Sequence, residues 1–245
     1  MKHMWKCYRV FMKKSDRLQI YLIFPLAFAC IYAMLLWWAP IFRNGEYQVF
    51  LEGNLKWQTA ISNQIFLTFL PSVAFWLAEA GSLGELFERE DGKLDLLRLS
   101  CKGKQVYLRA VKMDLVLRAW TLALLYGGMV VAELAVGALC HFQLRSMARA
   151  GYFFLEEVTI CYFAVTLAVT LGRLFPGYIR RFMFFIFSAY LARVIKFLAD
   201  FVPMVVLAVA LADGLLAWAN VCLAESRWSR ETVAIADSIQ RRSGR

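Results

Sequence analysis

Six stretches of this chain are each long and apolar enough to cross a bilayer, and nothing else constrains its fold as strongly. A transmembrane helix needs about 20 mostly apolar residues to cross roughly 30 Å of hydrocarbon. The first stretch, residues 18–42, is LQIYLIFPLAFACIYAMLLWWAPIF, with Gln19 as its one strongly polar residue. The others are residues 61–83, 113–139, 153–174, 181–200 and 202–223. The chain is 61% hydrophobic, against about 45–50% for a soluble domain. That excess exceeds what a protein core buries. Spans in lipid must satisfy their own backbone hydrogen bonds, so they read as helices. They are too long and too uniformly apolar for the alternating strands of a membrane barrel. The expectation is an all-α, polytopic membrane protein forming a single transmembrane domain over residues 1–245.

Residues 1–40 do not read as a cleaved signal peptide. Their apolar run is far longer than a signal core, and no clear small-x-small site follows. Residues 1–17 read instead as an amphipathic interfacial helix. Met4, Trp5, Tyr8, Phe11 and Met12 can share one face, with Lys2, Lys6, Arg9, Lys13 and Lys14 on the rest. Such a helix suits the headgroup layer.

Basic residues set the orientation. With six spans both termini lie on one side, and that side collects 21 Lys and Arg. The opposite side holds 4, or 6 with Arg193 and Lys196. Both termini, including the tail 224–245, are expected in the cytoplasm, with the protein in the plasma (inner) membrane. The net charge of +10 then expresses this bias and calls for no nucleic acid, and no nucleic-acid module is visible.

Against this background one run stands out. GELFEREDGKLDLLRLSCKGK, residues 84–104, holds ten charged residues in twenty-one, while the whole chain is 19% charged. The topology places residues 84–112 on the cytoplasmic side, between spans 2 and 3. A tether to anionic lipid would be nearly all Lys and Arg. Here the signs alternate, and Leu94, Leu96, Leu97 and Leu99 supply an apolar face. Gly92 can end a helix leaving span 2, and LDLLRLS can form a short second helix. Its leucines need a covering surface, either the bundle's underside or another protein. The competing reading is a solvated, salt-bridged loop.

Phe87 to Ser100, F-E-R-E-D-G-K-L-D-L-L-R-L-S, resembles the loop after the second span of ABC transporter type-2 permeases. That family commonly carries E-R-E-x-G-T-L-x-L-L-x-S there, followed by a Gly-Lys that opens the third span. Glu88, Arg89, Glu90, Gly92, Leu94, Leu96 and Leu97 stand in matching places, Ser100 follows one residue after the family Ser position, and Lys112 lies where the family lysine would be. Lys93 replaces the usual Thr, Ala110-Val111 stands where a Gly is common, and no Pro follows Ser100. The resemblance implies that residues 84–112 form a coupling helix seated in a separate ATP-binding subunit. It implies a second permease copy or homologue, an amphiphilic cargo (peptide, lipid or drug), and ATP and Mg held by the partner subunit. It also implies short re-entrant helices near residues 193–203. At this length the chain resembles compact permeases linked to antimicrobial-peptide export or immunity.

The motor must lie on another chain, because no G-x-x-x-x-G-K-[ST] loop is present. No cofactor on this chain is expected. Ionisable residues within spans are functional candidates. Asp213 falls near mid-membrane beside Gly214. Arg193 and Lys196 share a helix face, and the apolar run before them is too short to span. They either snorkel to the outer headgroups or belong to a re-entrant element. These three are candidates for a substrate path, with a buried acid or a snorkelling base as the competing readings. Glu79 and Glu133 read as reaching the membrane surfaces.

Catalysis finds less support. Glu156-Glu157 is similar to the E-E-x-x-x-R of one intramembrane protease family, but Cys161 stands near where the Arg is needed. His3 and His141 are the only histidines and fall on opposite sides. No His-based metal site or triad can be built from them, so no catalytic or metal residues are expected. The six cysteines lack C-x-x-C spacing. A Cys140–Cys161 bridge competes with simple packing. The reading is a permease subunit of an ATP-driven exporter rather than an enzyme. The alternatives are a non-transport membrane scaffold or accessory subunit and, behind it, an intramembrane enzyme.

Overall fold

The structure, a computed structural model, describes residues 2–11, 18–38, 97–98, 100–139, 147–175 and 178–243. The expected second span, 61–83, and the residues Glu88, Arg89, Glu90, Gly92, Leu94 and Leu96 lie outside the described residues.

Among the described residues the regular structure is helical and no strand occurs. Helix α1 is Lys2–Phe11. A π turn, Gln19–Ile23, runs directly into α2, Phe24–Trp38. The longer helices are α3 (Gly103–Leu139), α4 (Met147–Leu174), α5 (Tyr178–Phe201) and α6 (Met204–Ser243). The π turn has a local cause in Pro25. Proline has no N–H, and its ring crowds the carbonyl four residues back. The Phe24 N–H bonds instead to the Gln19 carbonyl five residues back.

Among the described residues three helices are long and apolar enough to cross a membrane: Gly103–Ala132 of α3, Gly151–Leu174 of α4 and Met204–Arg230 of α6. The chain is accordingly a helical membrane protein. Its surface agrees. Trp120, Val131, Leu155, Phe197, Leu211 and Trp218 are exposed, while Asp114, Arg118, Glu156, Glu157 and Asn220 are buried. Polar groups inside and large apolar groups outside suit a lipid solvent.

The expected boundaries shift at one end of the bundle, where α3 starts and α6 finishes. The third span was placed at 113–139, yet α3 begins at Gly103 and takes in the last ten residues of the 84–112 segment. Those residues are amphipathic rather than uniformly apolar: Tyr107, Ala110 and Val111 are buried while Lys104, Arg109 and Lys112 are exposed. A hydropathy window misses such a stretch, and a 3.6-residue period includes it. The tail 224–245 likewise continues α6 as far as Ser243. At 37 and 40 residues, α3 and α6 are about 55 and 60 Å long, well beyond the hydrocarbon thickness. The first expected span corresponds to the shorter apolar stretch Gln19–Met34. The fifth, 181–200, lies within α5, whose apolar run Arg193 and Lys196 interrupt.

Named contacts give the helix directions. Tyr126 of α3 meets Cys161 of α4, and Asp114 feels Arg173, so these two helices run antiparallel. The Phe175 and Phe184 rings meet at a tilt near the turn into α5, while Lys196 reaches back to Glu156, which makes α4 and α5 a second antiparallel pair. Asn220 of α6 bonds Thr170, and Asp213 lies near Tyr162, so α6 runs parallel to α4.

Two cores hold the helices together. One joins Tyr32 of α2, Leu122, Leu125 and Met129 of α3, and Ile160 and Ala164 of α4. Small residues allow its close approach: Ala164, Ala168, Ala192 and Ala199 are all buried in it. The other is aromatic and sits where α1, α3 and α6 meet, with Tyr8, Tyr21, Tyr107 and Trp228. Tyr107 and Trp228 stack at 5.0 Å, and Lys104 pairs with Glu225 at 2.8 Å beside them.

Helices α2 and α3 approach tightly at Gly128, where an added Cβ would stand 2.8 Å from the Ala29 Cβ. Neither atom can swing aside. Gly128→Leu is therefore expected to cost about 1–3 kcal/mol, the range for overpacking, read as a lower unfolding midpoint in detergent. Gly151→Ala, which meets nothing within 4 Å, is the control and should leave the midpoint unchanged.

Candidate functional site

The bundle carries a chain of buried polar clusters from end to end. Helix periodicity places them: residues three and four apart face the same neighbour.

The first cluster ties α1 to α3. Asp114 and Arg118 are one turn apart, both essentially inaccessible, with Arg118 Nη2 at 2.8 Å and Nε at 3.0 Å from Asp114 Oδ2. Tyr21, from the π turn, lies near Asp114 and meets the Tyr8 hydroxyl at 2.5 Å. Burial, with the Asp114 carboxylate nearby, pushes the Tyr8 phenol far above its ordinary range, so it stays a neutral hydrogen-bonding group. Tyr8 thus anchors α1 by a polar tip on an apolar body. The remaining α1 cations Lys2, Lys6 and Arg9 are exposed.

The second cluster joins α4 and α6. The Asn220 amide donates to Thr170 Oγ1 at 2.6 Å. Arg173 Nη1 donates to the Asn220 side-chain carbonyl and, at 3.2 Å, to its backbone carbonyl. The third joins α4, α5 and α3. Lys196 Nζ lies 2.8 Å from Glu156 Oε2 and 3.0 Å from Glu157 Oε1. One turn along α4, Cys161 lies 2.9 Å from the Tyr126 hydroxyl. Cys161 is a free, buried thiol, as the packing reading expected.

The residues singled out from sequence fall into different settings. Lys196 is buried and turned inward onto α4. Arg193 is half-buried, its guanidinium 5.5 Å from the centre of the Tyr190 ring. Asp213 is 8% exposed on α6, and its Oδ1 has no hydrogen-bond partner among the described residues. Asp213 therefore pairs with neither Arg193 nor Lys196. Glu156 and Glu157 are partners of Lys196 rather than residues at a surface. No group of three metal-ligating side chains occurs among the described residues.

Of the seven residues expected to form a coupling site, Leu97 alone lies among the described residues. It is half-buried and packs against the aromatic core of α1, α3 and α6. Arg98 lies over the Trp228 ring at 5.7 Å. A tight turn then starts α3. Ser100 donates to the Leu97 carbonyl through both its backbone N–H, at 3.1 Å, and its hydroxyl, at 2.8 Å, and Gly103 N–H donates to the Ser100 carbonyl. A Cβ at Gly103 would lie 1.8 Å from the Leu97 carbonyl oxygen, so the turn requires glycine.

Sequence reading passed over the Asp114–Arg118 pair, although its i, i+4 spacing was the available signal. The Glu157–Lys196 pair had one too. Glu157 lies 19 residues before Pro176 and Lys196 lies 20 after it, so an antiparallel hairpin turning there brings them level.

No family model, no curated protein and no solved structure matches the chain.

The chemistry of the paired clusters is electrostatic fastening. Removing one partner of a buried ion pair leaves a stranded charge and costs about 3–5 kcal/mol, while an apolar replacement of both costs far less. Arg118→Met is expected to lower the unfolding midpoint sharply. Asp114→Leu added to Arg118→Met should restore most of the loss. Thermal melts of the three chains in one detergent check both.

Proposed function

We propose that the chain is the permease subunit of an ATP-driven exporter of the ABC type-2 kind, moving an amphiphilic substrate. The observation that carries the reading is the run Phe87 to Ser100, with Glu88, Arg89, Glu90, Gly92, Leu94, Leu96 and Leu97 in the family's places. In this reading residues 84–112 and both termini face the cytoplasm of the plasma membrane. A separate ATP-binding subunit seats the leucines, and a second permease copy or homologue completes the pore. Apolar knobs ringed by charges suit such a docking site, because the knobs supply affinity and the charges fix register.

The mechanical setting is favourable. Leu97 and Arg98 are fastened to the aromatic core and to Trp228, and the Gly103 turn leads straight into α3. A push on the segment would therefore act on α3 and α6 together. Antimicrobial-peptide export or immunity is the narrower form of the proposal.

The test is purification of the full chain from its native host in mild detergent, with mass spectrometry of what accompanies it. A stoichiometric soluble chain bearing a phosphate-loop motif is expected. Leu94→Asp should release it while membrane insertion and melting midpoint stay unchanged. Leu97 is the poorer site for this variant, because it also packs the bundle. A chain that comes alone, or with a partner unable to hydrolyse ATP, would sink the exporter reading in favour of a scaffold.

A further inference from the structure

Asp213 is a buried acid with no ion-pair partner among the described residues. It lies nine residues beyond Met204 in the span Met204–Arg230, about 14 Å along the helix. It is 8% exposed, and its Oδ1 is enclosed with no hydrogen-bond partner among the described residues. Its neighbours Leu211 and Leu215 are exposed and apolar, and nothing stands within 4 Å of a Cβ built on Gly214.

Among the described residues no cation of the surrounding elements pairs with it. From α4 the group that faces Asp213 is the Tyr162 phenol, which also feels Asp114 and Arg118 of α3. Arg118 is held by Asp114. From α5, Lys196 is held by Glu156 and Glu157, and Arg193 lies over Tyr190. Arg173, at the end of α4, bonds Asn220. An ionised carboxylate enclosed in apolar surroundings without a partner is the costliest state a side chain can take, and the neutral acid avoids it.

We propose that Asp213 is a proton-binding site of the membrane-embedded bundle, holding one proton as a neutral carboxylic acid at neutral pH. Loading is carboxylate plus hydronium giving carboxylic acid plus water, with no other reactant. Release is the reverse, and it requires α6 to move so that water or a cation reaches residue 213. The site therefore binds a proton in the packed state and gives it up in an opened one. The proposal does not depend on the exporter reading and holds equally for a scaffold.

The test is infrared spectroscopy of the full chain in lipid nanodiscs at neutral pH, taken as wild type minus Asp213→Asn. Asparagine matches the shape and hydrogen-bonding capacity of the neutral acid. The expected difference is one carboxylic-acid carbonyl band that shifts in deuterium oxide, with the melting midpoint unchanged. A difference in the ionised carboxylate bands instead would overturn the proposal. If Asp213→Asn does not fold, the wild type decides through dicyclohexylcarbodiimide, which adds to a protonated carboxyl and rearranges to a stable N-acylurea. Peptide mapping should find the adduct on Asp213 to the same extent at neutral and acidic pH. An adduct there only at acidic pH would overturn the proposal.

Discussion

A charge taken into hydrocarbon must be met by another charge or by a proton, and the arrangement of this bundle follows from that constraint. Single charges at the centre of a membrane helix cost about 2.5–3.5 kcal/mol on insertion scales. The chain spends its buried charges in pairs that bridge segments or helices. Asp114–Arg118 takes up the two tyrosines that bring in α1 and the π turn. Lys196 fastens α5 to α4 through two glutamates. Thr170, Asn220 and Arg173 fasten α4 to α6. In lipid, burial of apolar surface gives no preference for one helix pairing over another, since the tails are as apolar as leucine. Polar partners and small-residue contacts must choose the pairing instead. The buried clusters and the Gly128–Ala29 approach make that choice here.

The same constraint explains how much was legible in sequence. Apolar length alone announced a helical membrane protein, because backbone hydrogen bonding in lipid admits few other solutions. It also located one end of each of two helices nearly to the residue: the C-terminal end of α4, 153–174 against Met147–Leu174, and the start of α6, 202–223 against Met204–Ser243. Where a helix leaves the hydrocarbon, hydropathy stops reporting it. For that reason the first ten residues of α3 and the last twenty of α6 were not read as parts of those helices. Partner choice was the least visible. Lys196 could snorkel or turn inward, and its sequence neighbourhood does not decide. The hairpin that brings it level with Glu157 decides it.

The buried clusters also divide the molecule by stiffness. The aromatic core holds α1, α3 and α6 with stacked rings, a surface ion pair and the Leu97–Gly103 turn. The span of α6 is less covered, at 17% buried, against 44% for α3 and 56% for α4. The contacts of α6 lie chiefly with α4, and the rest of its span is left to lipid.

That division gives the two ends of α6 different work. Trp228 lies under Arg98 and against Tyr107, in the core that receives the charged segment. Asp213 lies fifteen residues earlier in the same helix, about 22 Å away. A helix transmits displacement along its axis with little loss, since its hydrogen bonds all run that way. Between Asp213 and Trp228, Asn220 ties the helix to Thr170 and Arg173 of α4, so Asp213 stands on a spanning helix that is held near Trp228 and again at Asn220. In that position a change in its surroundings can follow a change at the surface.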